Sequence, residues 1–245
     1  MSIFFEIHQD LPRAGPGDNS QTRKALSMLT DLPSRPRILD IGCGPGMQTL
    51  ELAKQTHGTI TAMDNHAPFL EALRRRSMEE GLGRRINILQ ASMFDLGFEK
   101  ESLDVIWSEG AIYIIGFEKG IREWRPFLKK GGTMAVTELS WIKESPPVEV
   151  KSYWETGYPG MKSLEDNRRI IREAGYEEVG NFVLPESSWW EYYYQPMERR
   201  MEILRQKYGA NETVRKHLDE NQQEIEMYRR YSPWYGYVFY LMQVR

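Results

Sequence analysis

The stretch Arg37-Ile-Leu-Asp-Ile-Gly-Cys-Gly-Pro-Gly46, continued by Met-Gln-Thr-Leu-Glu-Leu-Ala53, reads as a buried strand, a glycine turn and the opening of a helix. Ile38, Leu39 and Ile41 form the short apolar run of a central parallel strand, and Leu50 and Ala53 recur at helical spacing beyond the turn. Gly42, Gly44 and Gly46 remove every side chain that would keep a ligand off the backbone. The free N–H groups of a helix N-terminus behind such a turn favour an anionic or strongly polar ligand group. The stretch therefore predicts a nucleotide-like cofactor site.

Downstream, Thr59–Met63 reads as a second strand with Asp64 at its carboxyl end, and Pro68 suits the first turn of a helix that buries Phe69, Leu70 and Leu73. Strands over Ile86–Gln90 and Leu103–Trp107 follow, then a helix over 118–129 with Ile121, Trp124 and Leu128 on one face, stopping at Gly131-Gly132. A strand over Thr133–Thr137, with Glu138 after it, completes the alternation. Such alternation predicts a parallel sheet covered by helices on both faces, with ligands beyond the carboxyl ends of its strands, where Gly42, Asp64, Ser92, Ser108 and Glu138 would gather.

Upstream, Phe4, Phe5 and His8 precede Leu11-Pro-Arg-Ala-Gly-Pro-Gly-Asp18, so residues 1–18 read as a loop. Asn19 or Ser20 is the expected cap of a helix that buries Ala25, Leu26, Met28 and Leu29. Beyond Trp141 the texture changes: residues 145–160 are rich in proline and aromatics, and Ser163-Leu-Glu-Asp166 opens a helix that closes at Gly175. A strand over Val179–Leu184 precedes Trp189, Trp190 and Tyr192–Tyr194. A charged, helix-favouring stretch over 196–230, split near Gly209-Ala-Asn211, leads into a last strand over Tyr235–Val244.

The 245 residues, 40% of them hydrophobic, can bury one sizeable core. A formal charge of -3, from 32 basic and 35 acidic side chains, supplies no field that would draw the chain to nucleic acid or an anionic membrane. No apolar run approaches the roughly 20 residues of a membrane span, and Glu6 and Asp10 interrupt any leader-like N-terminus. Cys43 is the only cysteine, which suits a reducing, cytoplasmic setting. The four histidines have no metal-ligand spacing with Cys43 or a carboxylate cluster, so no metal site is expected.

Asp40-Ile-Gly-Cys-Gly-Pro-Gly46, Asp64 after the second strand, Ser92-Met93 after the third and the late final strand together resemble class I S-adenosylmethionine-dependent methyltransferases, the ubiquinone- and menaquinone-biosynthesis group above all. Trp107–Tyr113, Gly116–Gly120 and Leu11–Gly17 resemble more narrowly a subfamily of uncharacterised bacterial and archaeal methyltransferases. The resemblance implies a Rossmann-like α/β fold: a seven-stranded, mostly parallel sheet with an antiparallel last strand and helices on both faces. In that family the glycine turn holds the aminoacyl part of the cofactor, and the acid ending the second strand binds both ribose hydroxyls. The implied cofactor set here is Asp40, Gly42, Cys43, Gly44, Asp64, Asn65, Ser92, Met93, Ser108 and Glu109, with Asp40 supporting the cofactor's amino group through backbone or water. Ser92 stands where the family often has an acid for the adenine amino group.

The resulting expectation is a cytoplasmic enzyme, monomer or homodimer, that methylates a small molecule. Its S-adenosylmethionine-binding domain spans 35–185 and 233–245, an N-terminal lid of loop and helix spans 1–34, and a helical, aromatic-rich cap is inserted at 186–232. Removal of residues 1–18 is expected to leave a folded protein with impaired turnover. A neutral oxygen or nitrogen acceptor would need a base, and Glu109, Tyr113, Glu138 and His8 are the candidates. A cofactor-binding regulator without activity is the alternative. A nicotinamide dehydrogenase fits less well, because Gly42-Cys-Gly-Pro-Gly46 lacks the Gly-x-Gly-x-x-Gly spacing.

Overall fold

The computed structural model describes residues 3–245; Met1 and Ser2, the head of the expected N-terminal loop, lie outside them. Its centre is a single mixed sheet. Strands β1 (Arg37–Ile41), β2 (Thr59–Asp64), β3 (Ile86–Gln90), β4 (Leu103–Ser108) and β5 (Leu128–Trp141) run parallel in the order β3-β2-β1-β4-β5. β6 (Lys162–Ser163) is a two-residue strand beside the end of β5. β7 (Tyr176–Val183) forms the far edge, and β8 (Tyr235–Val244) is inserted between β5 and β7, antiparallel to both.

Period-two alternation divides the core into two layers. Ile38, Val105, Trp107, Ala135, Phe239 and Leu241 face one way, toward α2 (Asn19–Ser27), α3 (Met47–Gln55) and α4 (Ala67–Glu79). Leu39, Ile41, Ile106, Met134, Val136 and Tyr240 face the other, toward α5 (Phe117–Trp124) and α7 (Leu164–Glu173). β8 is buried along almost its whole length because it has a strand on each side and a helical layer on each face.

Several expectations are corrected. The N-terminal segment is not all loop: Ile3–His8 is a short helix, α1, whose Glu6 carbonyl accepts from Arg200 Nε at 2.9 Å and whose Glu6 carboxylate accepts from the Tyr208 hydroxyl at 2.9 Å. α2 is capped by Asp18, which accepts from the N–H groups of Ser20 and Gln21, and not by Asn19 or Ser20. The helix expected over 118–129 ends at Trp124, since Pro126 has no N–H to continue the ladder. β5 is far longer than the Thr133–Thr137 core read from sequence, so Glu138 lies within the strand, not beyond it. The proline-rich 145–160 segment contains a helix, α6 (Val148–Gly157), begun after Pro147 where proline geometry suits a helix start. The 186–232 stretch is helical throughout most of its length: α8 (Glu186–Trp189), a wide turn over Trp190–Tyr194, α9 (Gln195–Tyr208) and α10 (Glu212–Tyr231).

Candidate functional site

The chain leaves β1 toward β2 and comes back through β4 on β1's other side. The carboxyl ends of β1 and β4 therefore part into a crevice, where sheets of this type take ligands. The glycine turn fits it closely. Gly42 has φ 69° and a Cβ there would stand 2.4 Å from the Ala111 Cβ, so only glycine lets the β1 turn pass the loop after β4. The turn is tied to β2: Gly42 and Cys43 donate N–H bonds to the Met63 carbonyl at 2.8 and 3.0 Å, and Gly44 N–H donates to Asp64 Oδ2 at 2.9 Å. His66 N–H reaches Asp64 Oδ1 at 2.8 Å, so each oxygen of this half-buried carboxylate holds one backbone donor and keeps lone-pair capacity toward the cleft.

The cleft encloses about 980 Å³ of space including its mouth, and its walls include Gly42, Cys43, Gly44, Asp64, Asn65, Ser92, Met93 and Glu109 of the expected cofactor set. Trp124 Nε1 donates to the Met93 carbonyl at 3.1 Å and fixes that wall, while the Ser92 hydroxyl accepts from Phe94 N–H at 3.3 Å. Phe4 and Phe5 of α1 and Ala14 and Gly15 of the following loop complete it. The Phe5 ring stacks on His66 at 3.5 Å between centroids. These N-terminal residues were absent from the sequence-derived cofactor set; the aromatic pair at Phe4-Phe5 in a segment without regular pattern was the available signal.

Two expected members lie outside the cleft wall. Ser108 is buried and donates to the Ile41 carbonyl at 2.9 Å, bracing β4 against β1. Asp40 is fully buried behind the turn, with Oδ2 accepting from the Thr49 hydroxyl at 2.5 Å and Oδ1 left without a donor. Burial raises its pKa to about 7, aided by the neighbouring negative charge of Glu109 and opposed by the Thr49 bond and the positive charge of Arg13. Because the folded-state value lies above the ordinary 3.8, the folded protein binds the extra proton, and this contribution to stability is lost as pH rises from about 4 to about 7. Urea unfolding should therefore show Asp40→Asn gaining stability over the parent at pH 8 but not at pH 4; equal differences at both values would remove the assignment. Cys43 is buried, and burial with the charges of Asp40 and Asp64 pushes its thiol pKa up, so it remains an unreactive thiol.

The four base candidates have different settings. Glu109 is held by three donors: Oε2 pairs with Arg13 Nη2 at 2.7 Å, and Oε1 accepts from Thr22 Oγ1 and Trp107 Nε1 at 2.8 Å each. Both partners of that ion pair are almost completely buried. Glu138 is buried with Oε1 accepting from the Tyr158 hydroxyl at 2.7 Å and Oε2 without a donor, and burial raises its pKa to about 8. His8 is buried, its Nδ1 on the Phe4 carbonyl at 2.8 Å, and burial lowers its pKa, so it is neutral; it lines neither the cleft nor the space beside it. Tyr113 lines both.

That second space, of about 770 Å³, shares Phe4, Ala14, Gly15, Gly110 and Tyr113 with the cleft and is otherwise walled by α6, β5, β8, Trp189, Tyr193 and Glu224. Trp154 and Tyr158 belong to the aromatic 145–160 segment read from the sequence, whereas Tyr237 and Glu224 were not singled out from it. Glu224 lies four residues before Tyr228 on the apolar stripe Leu218, Ile225, Tyr228, which was its available signal. Among the described residues no group of three His, Cys, Asp or Glu side chains is arranged to hold a metal ion, and no helix is long and apolar enough to cross a membrane.

A glycine turn at the switch point of a parallel sheet, with a carboxylate ending the next strand, defines a nucleotide-cofactor domain. Residues 38–132 match the family model described as a methyltransferase domain. The chain is similar to methyltransferase GfsG of Streptomyces halstedii, 30% identical over 110 residues, which are 44% of this chain and 40% of that protein. It is also similar to the 27-O-demethylrifamycin SV methyltransferase of Amycolatopsis mediterranei, 26% identical over 243 residues, 90% of this chain and 85% of that one. The first curated relatives it matches are covered over about half of their length or less. The S-adenosylmethionine-dependent methyltransferase of Thiobacillus denitrificans, solved with S-adenosyl-L-homocysteine, shares the fold at a TM-score of 0.86 and 20% identity, over 100% of this chain and 99% of that one.

Proposed function

We propose that this protein is an enzyme that transfers the methyl group of S-adenosylmethionine to a small molecule, with the cofactor in the glycine-turn cleft and the acceptor in the adjoining chamber. The observation that carries this reading is the adjacency of the two spaces, which have Gly110, Tyr113 and the Ala14-Gly15 loop in common. The methyltransferase-domain match and the S-adenosyl-L-homocysteine-bound structure of the same fold support it.

The residues present fit this cofactor. Asp64 has an acceptor oxygen free for each of two vicinal hydroxyls. The bare backbone of Gly42 to Gly44 admits the aminoacyl portion, and Asn65, Ser92 and Met93 line the side suited to the adenosine. When bound, S-adenosylmethionine supplies an electrophilic methyl on a sulfonium, so the protein's work is chiefly alignment of the acceptor. Phe4 and Phe5 cover the cleft and Tyr113 stands at the junction of the two spaces. We assign Glu109 to holding the N-terminal loop, because three buried donors, the Arg13 guanidinium among them, already engage its carboxylate; His8 has the character of a packed, neutral ring. Tyr113 and the Glu138–Tyr158 pair remain the candidate proton acceptors. Residues 1–34 serve as the lid and 186–232 as the cap over the 35–185 and 233–245 domain. The enzyme works in the cytoplasm as a monomer or homodimer, without a nucleic-acid partner.

Calorimetry with S-adenosylmethionine and with NADH tests the reading: binding of NADH alone would refute it. Asp64→Ala removes an acceptor for two hydroxyls, and loss of even one charge-assisted bond, about 1.5–3 kcal/mol, is expected to weaken cofactor binding at least roughly tenfold; unchanged affinity would move the ribose contact elsewhere.

A further inference from the structure

The chamber beside the cleft has an unusual lining. Tyr113, Trp154, Tyr158, Trp189, Tyr193 and Tyr237 contribute rings to it, and Glu224 contributes a carboxylate. Among the described residues its lining contains no Lys, Arg or His, and no Ser, Thr, Asn or Gln. The one ionisable side chain among them other than tyrosine is therefore an acid. Glu224 Oε1 accepts from the Tyr194 hydroxyl at 3.0 Å, and no donor among the described residues reaches Oε2. The carboxylate lies on α10, in a wall where Trp189 stacks on Tyr228 at 4.1 Å and on Tyr237 at 5.3 Å. Behind the ring of Tyr158, the buried Glu138 accepts a hydrogen bond from that tyrosine's hydroxyl at 2.7 Å and so fixes the orientation of this part of the wall.

Each class of acceptor meets this lining differently. An anionic acceptor would face Glu224 with no cation among the described lining residues to offset it, and a sugar or other polyol could bond the tyrosine hydroxyls but would bring neither a counter-charge for Glu224 nor the apolar surface that six aromatic side chains offer to cover. A neutral apolar ring would be tolerated by the aromatics but would leave Glu224 Oε2 desolvated and unpaired, which is costly. An alkylammonium group satisfies both features, since aromatic π-faces attract cations and the carboxylate supplies the counter-charge.

We propose that the chamber recognises a cationic alkylamine, held by Glu224 within the ring of Tyr113, Trp154, Tyr158, Trp189, Tyr193 and Tyr237, and that the methyl acceptor is an amine of this class. That amine gives one ammonium proton to the Glu224 carboxylate, so that the freed nitrogen lone pair can form the N–C bond as the sulfonium S–C bond breaks, the electron pair of the broken bond staying on the sulfur of the departing S-adenosylhomocysteine. The inference rests on the methyltransferase reading only for calling that amine an acceptor; recognition of the cation is a property of the chamber itself. Burial raises the Glu224 pKa, and an ammonium ligand beside the carboxylate would oppose that shift.

The test compares choline, a quaternary ammonium that cannot accept a further methyl, with its uncharged isostere 3,3-dimethyl-1-butanol, by calorimetry and by quenching of tryptophan fluorescence in the full chain. Choline is expected to bind at least about tenfold more tightly than the alcohol, and Glu224→Gln to erase most of that preference while leaving S-adenosylhomocysteine affinity unchanged. Equal binding of the two probes to the parent protein, a result that needs no variant, would overturn the proposal and point to a neutral, apolar occupant. Equal choline affinity in the parent and in Glu224→Gln would overturn it too. Failure of S-adenosylhomocysteine to bind, with choline binding intact, would instead strike at the methyltransferase reading and leave the cation site standing.

Discussion

Glu109→Gln is expected to lower the unfolding free energy by about 3–5 kcal/mol, read as a fall in the urea midpoint with an unchanged slope. The reason lies in what remains. Arg13 would keep its guanidinium in a site where its side chain is only 3% exposed and where Nη1 already lacks an acceptor. The amide of glutamine offers one acceptor oxygen where the carboxylate served Arg13, Thr22 and Trp107 with two. Arg13→Met should be comparably harmful, since it strands Glu109, whereas Arg13→Met combined with Glu109→Gln should recover a substantial part of the loss because no uncompensated charge is left. A loss under about 1 kcal/mol for Glu109→Gln, the range of an exposed ion pair, would show that the pair is hydrated and unimportant. The same pair revises the expected behaviour of the N-terminal segment. Cutting away residues 1–18 removes Arg13 along with the Asp18 cap of α2, so the shortened protein should be markedly less stable, and not merely slow.

Gly46→Ala is the second change with a large expected effect. Gly46 precedes α3 with φ 86°, a conformation costing a side chain about 1–2 kcal/mol. Its Cβ would also stand 2.2 Å from Leu73 Cδ1 and 2.8 Å from Cγ, and relieving such overpacking typically costs about 1–3 kcal/mol more. The overlap is with the side chain that pins α4 to the sheet, so the disturbance should spread to the glycine turn and weaken cofactor affinity as well as stability. A double-mutant cycle separates the two contributions. Gly46→Ala with Leu73→Ala should be less destabilised than the sum of the single changes by more than about 1 kcal/mol, the remainder being backbone strain. Strict additivity would mean that Leu73 moves aside freely and that the backbone term alone operates.

The parts of this fold that follow local rules were legible in the sequence. β1, β3 and β8 begin and end where their apolar runs do, and α7 starts at its Ser163 cap and closes before Gly175 as its signals indicate. Asp64 and the glycines could be placed in one cleft because strand ends and sheet order dictate that neighbourhood. What could not be read depends on contacts between distant segments. Phe4, Phe5 and His8 look like loop residues until α9 supplies Arg200 and Tyr208 to hold α1. Arg13 carries no local hint that its partner is 96 residues away. β5 extends past Thr137 because β8 pairs with it as far as Trp141 ↔ Tyr235, a reason invisible in either segment alone. Glu224 reads as one more solvated acid of a charged helix, and only the inward stripe of α10 places it in a chamber wall.

The insertion of β8 between β5 and β7 also constrains the order of events during synthesis. β7 emerges from the ribosome with nothing to join, because the strand that links it to the sheet is separated from it by the whole of α8, α9 and α10. Until Tyr235–Val244 has been made, β7 and the long β5 each present an open edge, and the helices between them have no floor to settle on. Assembly of the half of the molecule that bears the chamber is thus deferred, and late closure by one strand makes the chamber appear after the glycine-turn cleft in the life of the nascent chain.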